Sequence, residues 1–575
     1  KTMNARTKTG LEVLQTSVLL GVLGNVLLRQ VPWGLNVFLF VAAFVIATAT
    51  LLLTRKPEYW TRSNMALLGT MLFFSSMFVW RDAIELHVAD TVAIIAAMSV
   101  LMLSRLSITT KLAGVFQYGV SFLWASATSL FGAPMLLADV EWNSMPKSGA
   151  SKHLIAILRG LIIAVPLVLI FGGLFMAADA AYEGLVQRVF NIDASQIFSH
   201  VMLTTIFTWL TAGYFRGILF DKFFAETAAA AATKPEDENK SKFEQVKSED
   251  VPNPDALPDN ATILEHINRS DPPNAKTKAA DEKKKFRWSD FDNSYMPPAF
   301  TLGAVEIGVA LGLINLLFLS FVIVQVPYLF GGMDLVQNTP DFKLAEYARR
   351  GFGELVAVAA LVLPILLLSH WLVRKDSPVA AKFYRVFAGI QIALLFVIMA
   401  SAAQRLFLLT GNLGYGMTTV RLYPFIFMIW LAIVFVWFGV TVLRGARQHF
   451  AWGALWSAFF VLGATHVLNP DEFIVRTNIA LAQQGREFDA NYNSRLSDDA
   501  VPTLVESLPA LNERDQYRVV RNLARKYCQT KERTDLRSWN LSRRSSAAAL
   551  EVAKPFADVA GCERDSFLWH GADPY

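Results

Sequence analysis

WGLNVFLFVAAFVIATATLLLT occupies residues 33–54 and is followed directly by Arg55 and Lys56. The stretch carries no charged side chain, and a helix needs about 20 apolar residues to cross the hydrocarbon core of a bilayer. Comparable segments, each bracketed by Arg or Lys, fill most of the chain. The pattern predicts an all-α fold, a polytopic transmembrane helix bundle embedded in a lipid bilayer.

The composition agrees with this class. The 575 residues are 54% hydrophobic and 18% charged, with a mean hydropathy of +0.37, whereas soluble domains carry roughly 25% charged residues. The net charge of +5 is spread over many short loops, which is typical of membrane topology and not of a nucleic-acid-binding patch. A soluble fold is excluded, and no nucleic-acid partner is expected.

About eleven apolar segments are predicted to span the membrane. They are Leu11–Leu28, Trp33–Thr54, Met65–Trp80, Val88–Ser104, Leu154–Ala178, His200–Leu219, Phe300–Val326, Gly353–Val373, Phe387–Leu409, Leu422–Leu443 and Phe450–Leu468. The basic residues before the first segment resemble the start of a signal peptide, but no small-residue cleavage site precedes the next span. We therefore expect this segment to stay as the first helix.

A twelfth apolar segment, Ala113–Phe131, is predicted to lie in the membrane interface. Gln117, Ser121 and Thr128 recur at helical spacing on one face, and the opposite face is largely apolar. A helix with this pattern lies along the membrane surface with its apolar side in the lipid.

The distribution of Lys and Arg predicts the orientation, because cytoplasmic loops carry the excess of positive charge. With eleven spans and a cytoplasmic amino terminus, the inner loops hold Arg55, Lys56, Arg62, Arg105, Lys111, Lys147, Lys152, Arg159, Arg374, Lys375, Lys382, Arg385, Arg444 and Arg447. Counting the interfacial segment as a span would place the loop from Arg55 to Arg62 outside. The carboxyl terminus is accordingly expected on the extracytoplasmic side.

Five parts follow from this organisation. They are N-terminal transmembrane helices with the interfacial helix (residues 1–151), a transmembrane helix pair (152–220), a cytoplasmic linker (221–298), a C-terminal transmembrane bundle (299–468) and an extracytoplasmic helical domain (469–575). The linker has few apolar and many charged residues, so disorder is expected there. It is either a plain tether or a docking segment for a protein partner.

The last part is polar and patterned as short helices. Asn469 and Ser497 stand at typical helix starts, and Asn512 precedes a further amphipathic run. Cys528 and Cys562 are the only cysteines of the chain and both lie here. They form either one disulfide, which suits an oxidising compartment, or two unrelated buried thiols.

Several short motifs carry a resemblance to a known family. They are Leu158-Arg159-Gly160, Val165-Pro166, Ala178-Asp179, Tyr328-Leu329-Phe330-Gly331-Gly332, Glu346-Tyr347-Ala348-Arg349-Arg350-Gly351-Phe352 with Glu354, Ser401 and Arg405 followed by Tyr415-Gly416-Met417-Thr418 and Arg421, and Leu496-Ser497-Asp498-Asp499-Ala500-Val501-Pro502. Together they resemble a bacterial family of multi-span membrane proteins, a domain of unknown function of the 4153/4173 type. The resemblance covers roughly residues 152–540 without the linker. It implies a bacterial inner-membrane protein and supplies no reaction.

One position departs from the family pattern. The family usually has a Tyr shortly after the position of Arg405, where this chain has Leu408 and Leu409. The role of that Tyr therefore does not carry over.

Ionisable residues in or near the spans are the candidates for function, because inserting one into a membrane costs about 3 kcal/mol. The candidates for ligand binding are Asp179, Glu306, Glu346, Arg349, Arg350, Glu354, Arg405 and Arg421, with Arg81, Asp82 and Glu85 beside them. All but Glu306 fall at predicted outer helix ends. They form either an outward-facing pocket for an anionic solute or lipid headgroup, or ion pairs that fix the bundle.

Glu306 is predicted roughly two turns inside the seventh span, on one line with Asn315 and Gln325. It is either a proton- or ion-coupling residue or a carboxyl group that is bonded to a neighbouring helix or faces water at the inner leaflet.

Catalytic signatures are mostly missing from the sequence. The eight histidines show no metal-ligand spacing, and no phosphate-binding loop or nucleophile elbow is present. No cofactor and no enzyme activity are predicted. The favoured function is a secondary transporter or permease for an anionic solute or lipid. The alternative is a membrane sensor or assembly partner that acts on a protein through the outer domain and linker, and an enzyme for lipid-linked substrates ranks third.

Overall fold

The structure is a computed structural model that describes residues 4–106, 108–140, 194–220, 301–330, 352–374, 377–412, 416–531 and 535–552. Almost all of these residues are helical, and the one β-type contact among them is a bridge between Leu302 and Val373. The all-α fold class is therefore confirmed. The chain separates into two compact units, residues 1–219 with 292–575 and residues 220–291. The linker in the second unit and the predicted span Leu154–Ala178 lie outside the described residues.

Eleven long helices belong to the described part of the bundle. They are α1 (Ala5–Leu28), α2 (Leu35–Arg55), α3 (Arg62–Trp80), α4 (Ile84–Leu101), α5 (Val115–Asp139), α6 (Ala194–Leu219), α7 (Ala304–Phe330), α8 (Phe352–Leu372), α9 (Pro378–Phe407), α10 (Thr419–Thr441) and α11 (Phe450–Leu468). All except α6 are long and apolar enough to cross a membrane. The chain is a multi-pass membrane protein.

One end of the bundle gathers the basic residues. Arg55 at the end of α2 donates to Glu12 near the start of α1 at 2.6 Å, and Arg105 after α4 donates to the carbonyl of Gly217 in the last turn of α6 at 2.8 Å. We call this the basic end. It also holds Arg6, Lys56, Arg62, Lys111, Arg216, Arg374, Lys382, Arg385 and Arg447. The predicted segregation of charge is present in the structure.

The opposite end carries the C-terminal domain, and we call it the domain end. Asn25 near the end of α1 lies 3.0 Å from His200 near the start of α6, so α1 and α6 run antiparallel. Arg81, just after α3, donates to the carbonyl of His466 in the last turn of α11 at 2.9 Å. The chain enters the C-terminal domain directly after α11.

Helix α5 lies at the basic end. Tyr118 near its start donates to the carbonyl of Thr110, just after α4. Asp139 at its end binds Arg6 from the start of α1 and Arg216 from the end of α6, at 2.7 and 2.8 Å. Both ends of α5 therefore sit at the same end of the bundle. This agrees with a helix along one membrane surface, although length and hydropathy would also allow a crossing.

The polar face of α5 packs against α6 and does not face water. Ser121 and Thr128 are buried, and Thr128 contacts Gly217. A Cβ atom added at Gly132 would lie 2.9 Å from Cα of Gly213. Small residues permit such close approach between membrane helices. The pattern predicted from the sequence is real, but its polar side is a helix-packing surface.

Helices α7 to α10 enclose an apolar core. Asn315 in α7 donates to the carbonyl of Phe387 in α9 at 2.9 Å, and the hydroxyl of Tyr384 donates to the carbonyl of Leu366 in α8 at 2.7 Å. These bonds satisfy polar groups that lipid could not satisfy. They also fix α9 between α7 and α8.

The structure places Glu306 differently from the sequence prediction. Leu302 is held by its bridge to Val373, and α7 begins only at Ala304. Glu306 therefore lies in the first turn, at the basic end, with an exposed side chain. A carboxylate in the first turn is stabilised by the positive amino end of the helix. The predicted position two turns inside the span is wrong.

The C-terminal domain is a small helical body with its own apolar core. Its helices are α12 (Pro470–Gln483), α13 (Ala490–Arg495), α14 (Val501–Glu506), α15 (Glu513–Lys531) and α16 (Leu541–Val552). Val475, Leu504 and Val519 meet in this core, which continues into the bundle through Leu422 of α10. The predicted helix starts after Asn469 and Asn512 are confirmed.

The contact between α5 and α6 should tolerate no added methyl group. We expect Gly213→Ala to lower stability by about 1–3 kcal/mol, because its Cβ would overlap the backbone carbonyls of Thr128 and Ser129. Thermal unfolding of the detergent-solubilised protein measures the change. Gly119→Ala in α5 is the control, since no atom lies within 4 Å of its added Cβ. Equal melting of the two variants would contradict the close packing.

Candidate functional site

The turn between α3 and α4 is bonded by a residue of the C-terminal domain. Helix α4 starts after Ala83, which has no side chain that could cap it. Oδ2 of Asp499 accepts hydrogen bonds from the backbone N–H of Asp82 at 2.7 Å and of Ala83 at 3.1 Å. Oδ1 of the same carboxylate lies 3.4 Å from the guanidinium of Arg81. Asp499 therefore supplies the missing cap of α4.

Two more residues bind the C-terminal domain to this turn. Arg543 forms an ion pair with Asp82 at 2.5 Å and donates to the carbonyl of Trp33 at 2.8 Å. Asn540 donates to the carbonyls of Phe78 and Arg81, both at 2.7 Å. Burial raises the pKa of Asp82. Arg543 opposes this rise only in part.

Asp471 adds another buried carboxyl group to this contact region. Its Oδ2 accepts from the backbone N–H of Ser497 at 2.9 Å, while its Oδ1 has no hydrogen-bond partner among the described residues. Burial is the main reason why the pKa of Asp471 is raised, and the nearby carboxylates Glu85 and Asp499 raise it further. The bonds to Ser497 act in the opposite direction.

Beneath this region, inside the bundle, Asp90 of α4 faces His466 of α11. Oδ2 of Asp90 lies 3.1 Å from Nε2 of His466, and both side chains are completely buried. Nδ1 of His466 lies 2.8 Å from the carbonyl oxygen of Leu462. A carbonyl only accepts hydrogen bonds, so Nδ1 carries a hydrogen.

This geometry fixes the number of protons in the pair. With Nδ1 committed to Leu462, the hydrogen between the two side chains sits either on Nε2 or on Oδ2. The pair is then an imidazolium with a carboxylate or a neutral imidazole with a carboxylic acid, and it holds one shared proton in both forms. Removing that proton would leave an uncompensated charge in the bundle, which is costly.

Arg81 connects the pair to the C-terminal domain. Its Nε donates to the carbonyl of His466 at 2.9 Å, and its guanidinium contacts Asp499. The carbonyl of Arg81 in turn lies 2.9 Å from Nε2 of His87, one turn before Asp90 in α4. A change at Asp499 therefore reaches both helices that hold the pair.

Three of the sequence-predicted residues at the domain end belong to the described part of the chain. Arg405 is buried and donates to Oε1 of Gln325 at 2.8 Å, and Ser401 donates to the same oxygen at 3.0 Å. Arg421 donates to the carbonyl of Gly416. Glu354 lies exposed in the first turn of α8. Glu306 is at the other end of the bundle, so it cannot share a site with them.

Several predicted site residues lie outside the described part of the chain. These are Asp179, Glu346, Arg349, Arg350 and Cys562. Cys528 belongs to helix α15, but its side chain is also outside the described part. The pocket for an anionic ligand and the disulfide both stay predictions.

The Asp90–His466 pair was not among the sequence-predicted sites. Both residues nevertheless fall inside predicted spans, Val88–Ser104 and Phe450–Leu468, where an ionisable side chain is a candidate for function by default. That signal was available for each residue alone. Their pairing depends on the packing of two helices that are distant in sequence.

A family model described as "Domain of unknown function (DUF4153)" matches residues 67–248 and 268–507. The matched ranges include Asp90, His466 and Asp499. No curated protein and no solved structure matches the chain. The comparisons identify a family for the chain, but they assign no activity to it.

Removing the cap that Asp499 provides should loosen the C-terminal domain. We expect Asp499→Ala to destabilise the protein by about 3 kcal/mol, because two backbone N–H groups and Arg81 lose a charged acceptor. Asp489→Ala removes only the local cap of α13 and should cost about 1 kcal/mol. Thermal unfolding and the rate of proteolysis of the C-terminal domain measure both. If Asp499→Ala destabilised the protein no more than the Asp489→Ala control does, Asp499 would not have this role.

The raised pKa of Asp471 predicts that the stability of the protein depends on pH. Its pKa is raised in the folded state, so its contribution is present below the ordinary aspartate pKa of about 3.9 and is lost as pH rises through the raised value. The melting temperature of the parent minus that of Asp471→Asn should therefore fall as the pH is raised above about 4. A difference that stays constant, or grows with pH, would contradict the raised pKa.

Proposed function

The chain belongs to this family of unknown function, and we propose that it is a proton-coupled secondary transporter in which Asp90 and His466 hold the coupled proton. The observation that carries the proposal is the fully buried pair, in which Oδ2 of Asp90 lies 3.1 Å from Nε2 of His466 and Nδ1 of His466 lies 2.8 Å from the carbonyl oxygen of Leu462. A transporter needs a group that binds and releases a proton inside the membrane, and acid and histidine side chains serve this purpose in pumps and transporters.

The position of the pair supports the proposal. Asp90 belongs to the helices before the linker, and His466 belongs to α11, after it. In secondary transporters the coupling sites lie where two sets of helices meet and move against each other. A proton shared across such a junction would bias that movement, because the contact is strong only when the proton is present.

The cost of removing the proton from the Asp90–His466 pair supports a linkage between proton release and solute binding. Loss of the shared proton leaves negative charge on Asp90 without compensation, since its Oδ1 has no hydrogen-bond partner among the described residues. Release therefore requires water access or a compensating rearrangement. A solute that drives such a rearrangement would be coupled to the proton.

The segregation of charge supports the proposed orientation. The basic end would face the cytoplasm of a bacterium, because the positive residues collect there. The amino terminus would then be cytoplasmic, the C-terminal domain extracytoplasmic, and the membrane the bacterial inner membrane. An anionic solute or lipid is the proposed substrate. Arg405, buried near the domain end of α9, would be the residue that meets it.

A second candidate function, a membrane sensor or assembly partner, is favoured by one feature of the C-terminal domain. Arg514, Arg518, Arg521 and Arg525 are exposed on α15, and none of them pairs with a carboxylate of the described residues. Their spacing puts all four on one helix face. The line of guanidinium groups would fit an acidic protein partner.

Proton flux into proteoliposomes tests the transporter proposal. Reconstituted protein is given inward gradients of carboxylates, phosphate and phosphorylated metabolites in turn, and a trapped pH dye reports proton movement. We expect at least one solute to drive proton flux, and we expect Asp90→Asn and His466→Gln to reduce that flux about tenfold or more.

Asp139→Asn is the matched control, because Asp139 is also a buried, paired carboxylate but lies at the basic end. It should lower stability and leave proton coupling intact. Solute-driven flux that persists in Asp90→Asn would refute the proton site. Absence of flux with every solute in the parent would refute the transporter and favour the second candidate.

A further inference from the structure

A cavity in the C-terminal bundle contains a polar group without a partner. The cavity measures about 180 Å³ and lies between α7, α8 and α9. Its lining is apolar except for Gln391 of α9. Gln391 is 1% exposed, and neither its amide nitrogen nor its amide oxygen has a hydrogen-bond partner among the described residues.

A second amide group, on helix α7, is only partly satisfied. Asn315 of α7 donates to the carbonyl of Phe387, one turn before Gln391, but its Oδ1 accepts no hydrogen bond from the described residues. Buried amides without partners cost a few kcal/mol, and lipid cannot satisfy them. Because the unpartnered amide of Gln391 lies in the cavity wall, the cavity is a site that something else completes.

Helix α8 contributes a third feature. Pro364 lies within this helix and provides no N–H for the carbonyl of Ala360, one turn earlier. Leu361 and Ile365 line the cavity on either side of this interruption, and both are exposed on the bundle surface, at 61% and 40%. A molecule dissolved in the lipid could therefore enter the cavity from the side.

We propose that this cavity binds an uncharged amphiphile, an apolar molecule with one hydroxyl or amide group, and that Gln391 is its hydrogen-bond partner. A purely apolar cavity of about 150 Å³ accepts benzene, so the size fits a small ring or the end of an acyl chain. The apolar walls complement the body of the ligand, and the amide complements its polar group.

Water alone fits this cavity less well. Each buried water molecule needs two to four polar partners, while Gln391 is the single polar side chain in the cavity lining. An amphiphile satisfies both kinds of wall at once. The inference is independent of the proton site, since Gln391 belongs to neither α4 nor α11.

Binding of benzyl alcohol and of toluene to the full detergent-solubilised protein tests this proposal. The two probes have nearly the same shape, but only the alcohol can bond to Gln391. Each is titrated while the melting temperature is recorded, because binding to the folded state raises stability. We expect benzyl alcohol to bind the parent about tenfold more tightly than toluene, the effect of one hydrogen bond.

Two variants locate the effect. Gln391→Leu should bind both probes equally and should melt no earlier than the parent, because it removes an unpaired amide. Leu361→Trp keeps the amide but adds side-chain volume at a position that lines the cavity, so less space is left for a ligand and both probes should bind several-fold more weakly. Equal affinity of the two probes in the parent, an unchanged preference for the alcohol in Gln391→Leu, or no stabilisation of the parent by either probe would overturn the proposal.

Discussion

The carboxylate of Asp499 bonds the amino end of helix α4, and the arrangement of the whole domain end depends on this contact. Ala83 offers no side-chain cap, and free N–H groups at a buried helix end must find an acceptor. Asp499 provides it from the C-terminal domain and also binds Arg81. Because Arg81 holds the carbonyl of His466, one acceptor links the domain, the α3–α4 turn and α11.

Three buried polar groups of the bundle differ in how completely they are satisfied. Asp139 is bound by two arginines, so it is a structural element. Asp90 contacts His466 through Oδ2, while its Oδ1 has no hydrogen-bond partner among the described residues. Gln391 has no partner at all among the described residues. The degree of satisfaction separates this structural contact from the proposed proton site and the proposed ligand site, because membrane interiors make each missing partner costly.

Much of the fold could be predicted from the sequence. The segment Trp33–Thr54 becomes helix α2 within a residue or two at each end, because a long apolar run has few other structures in a membrane. The segregation of Lys and Arg and the helix starts in the C-terminal domain are local signals and were also found. The sequence did not show that the polar face of α5 packs against α6, because the same polar pattern is found on a helix that faces water and on one that faces a neighbouring helix. Glu306 was misplaced because a bridge between distant residues delays the start of α7.

The sequence by itself determined that this is a multi-pass helical membrane protein with a basic end and a helical C-terminal domain. Hydrophobic length and charge act locally along the chain, so they can be read without the fold. Only the tertiary structure decided that Asp90 meets His466, that Asp499 caps α4, and that Gln391 faces a cavity. Each of these depends on short-range contacts between helices remote in sequence, and such contacts exist only after the helices have packed.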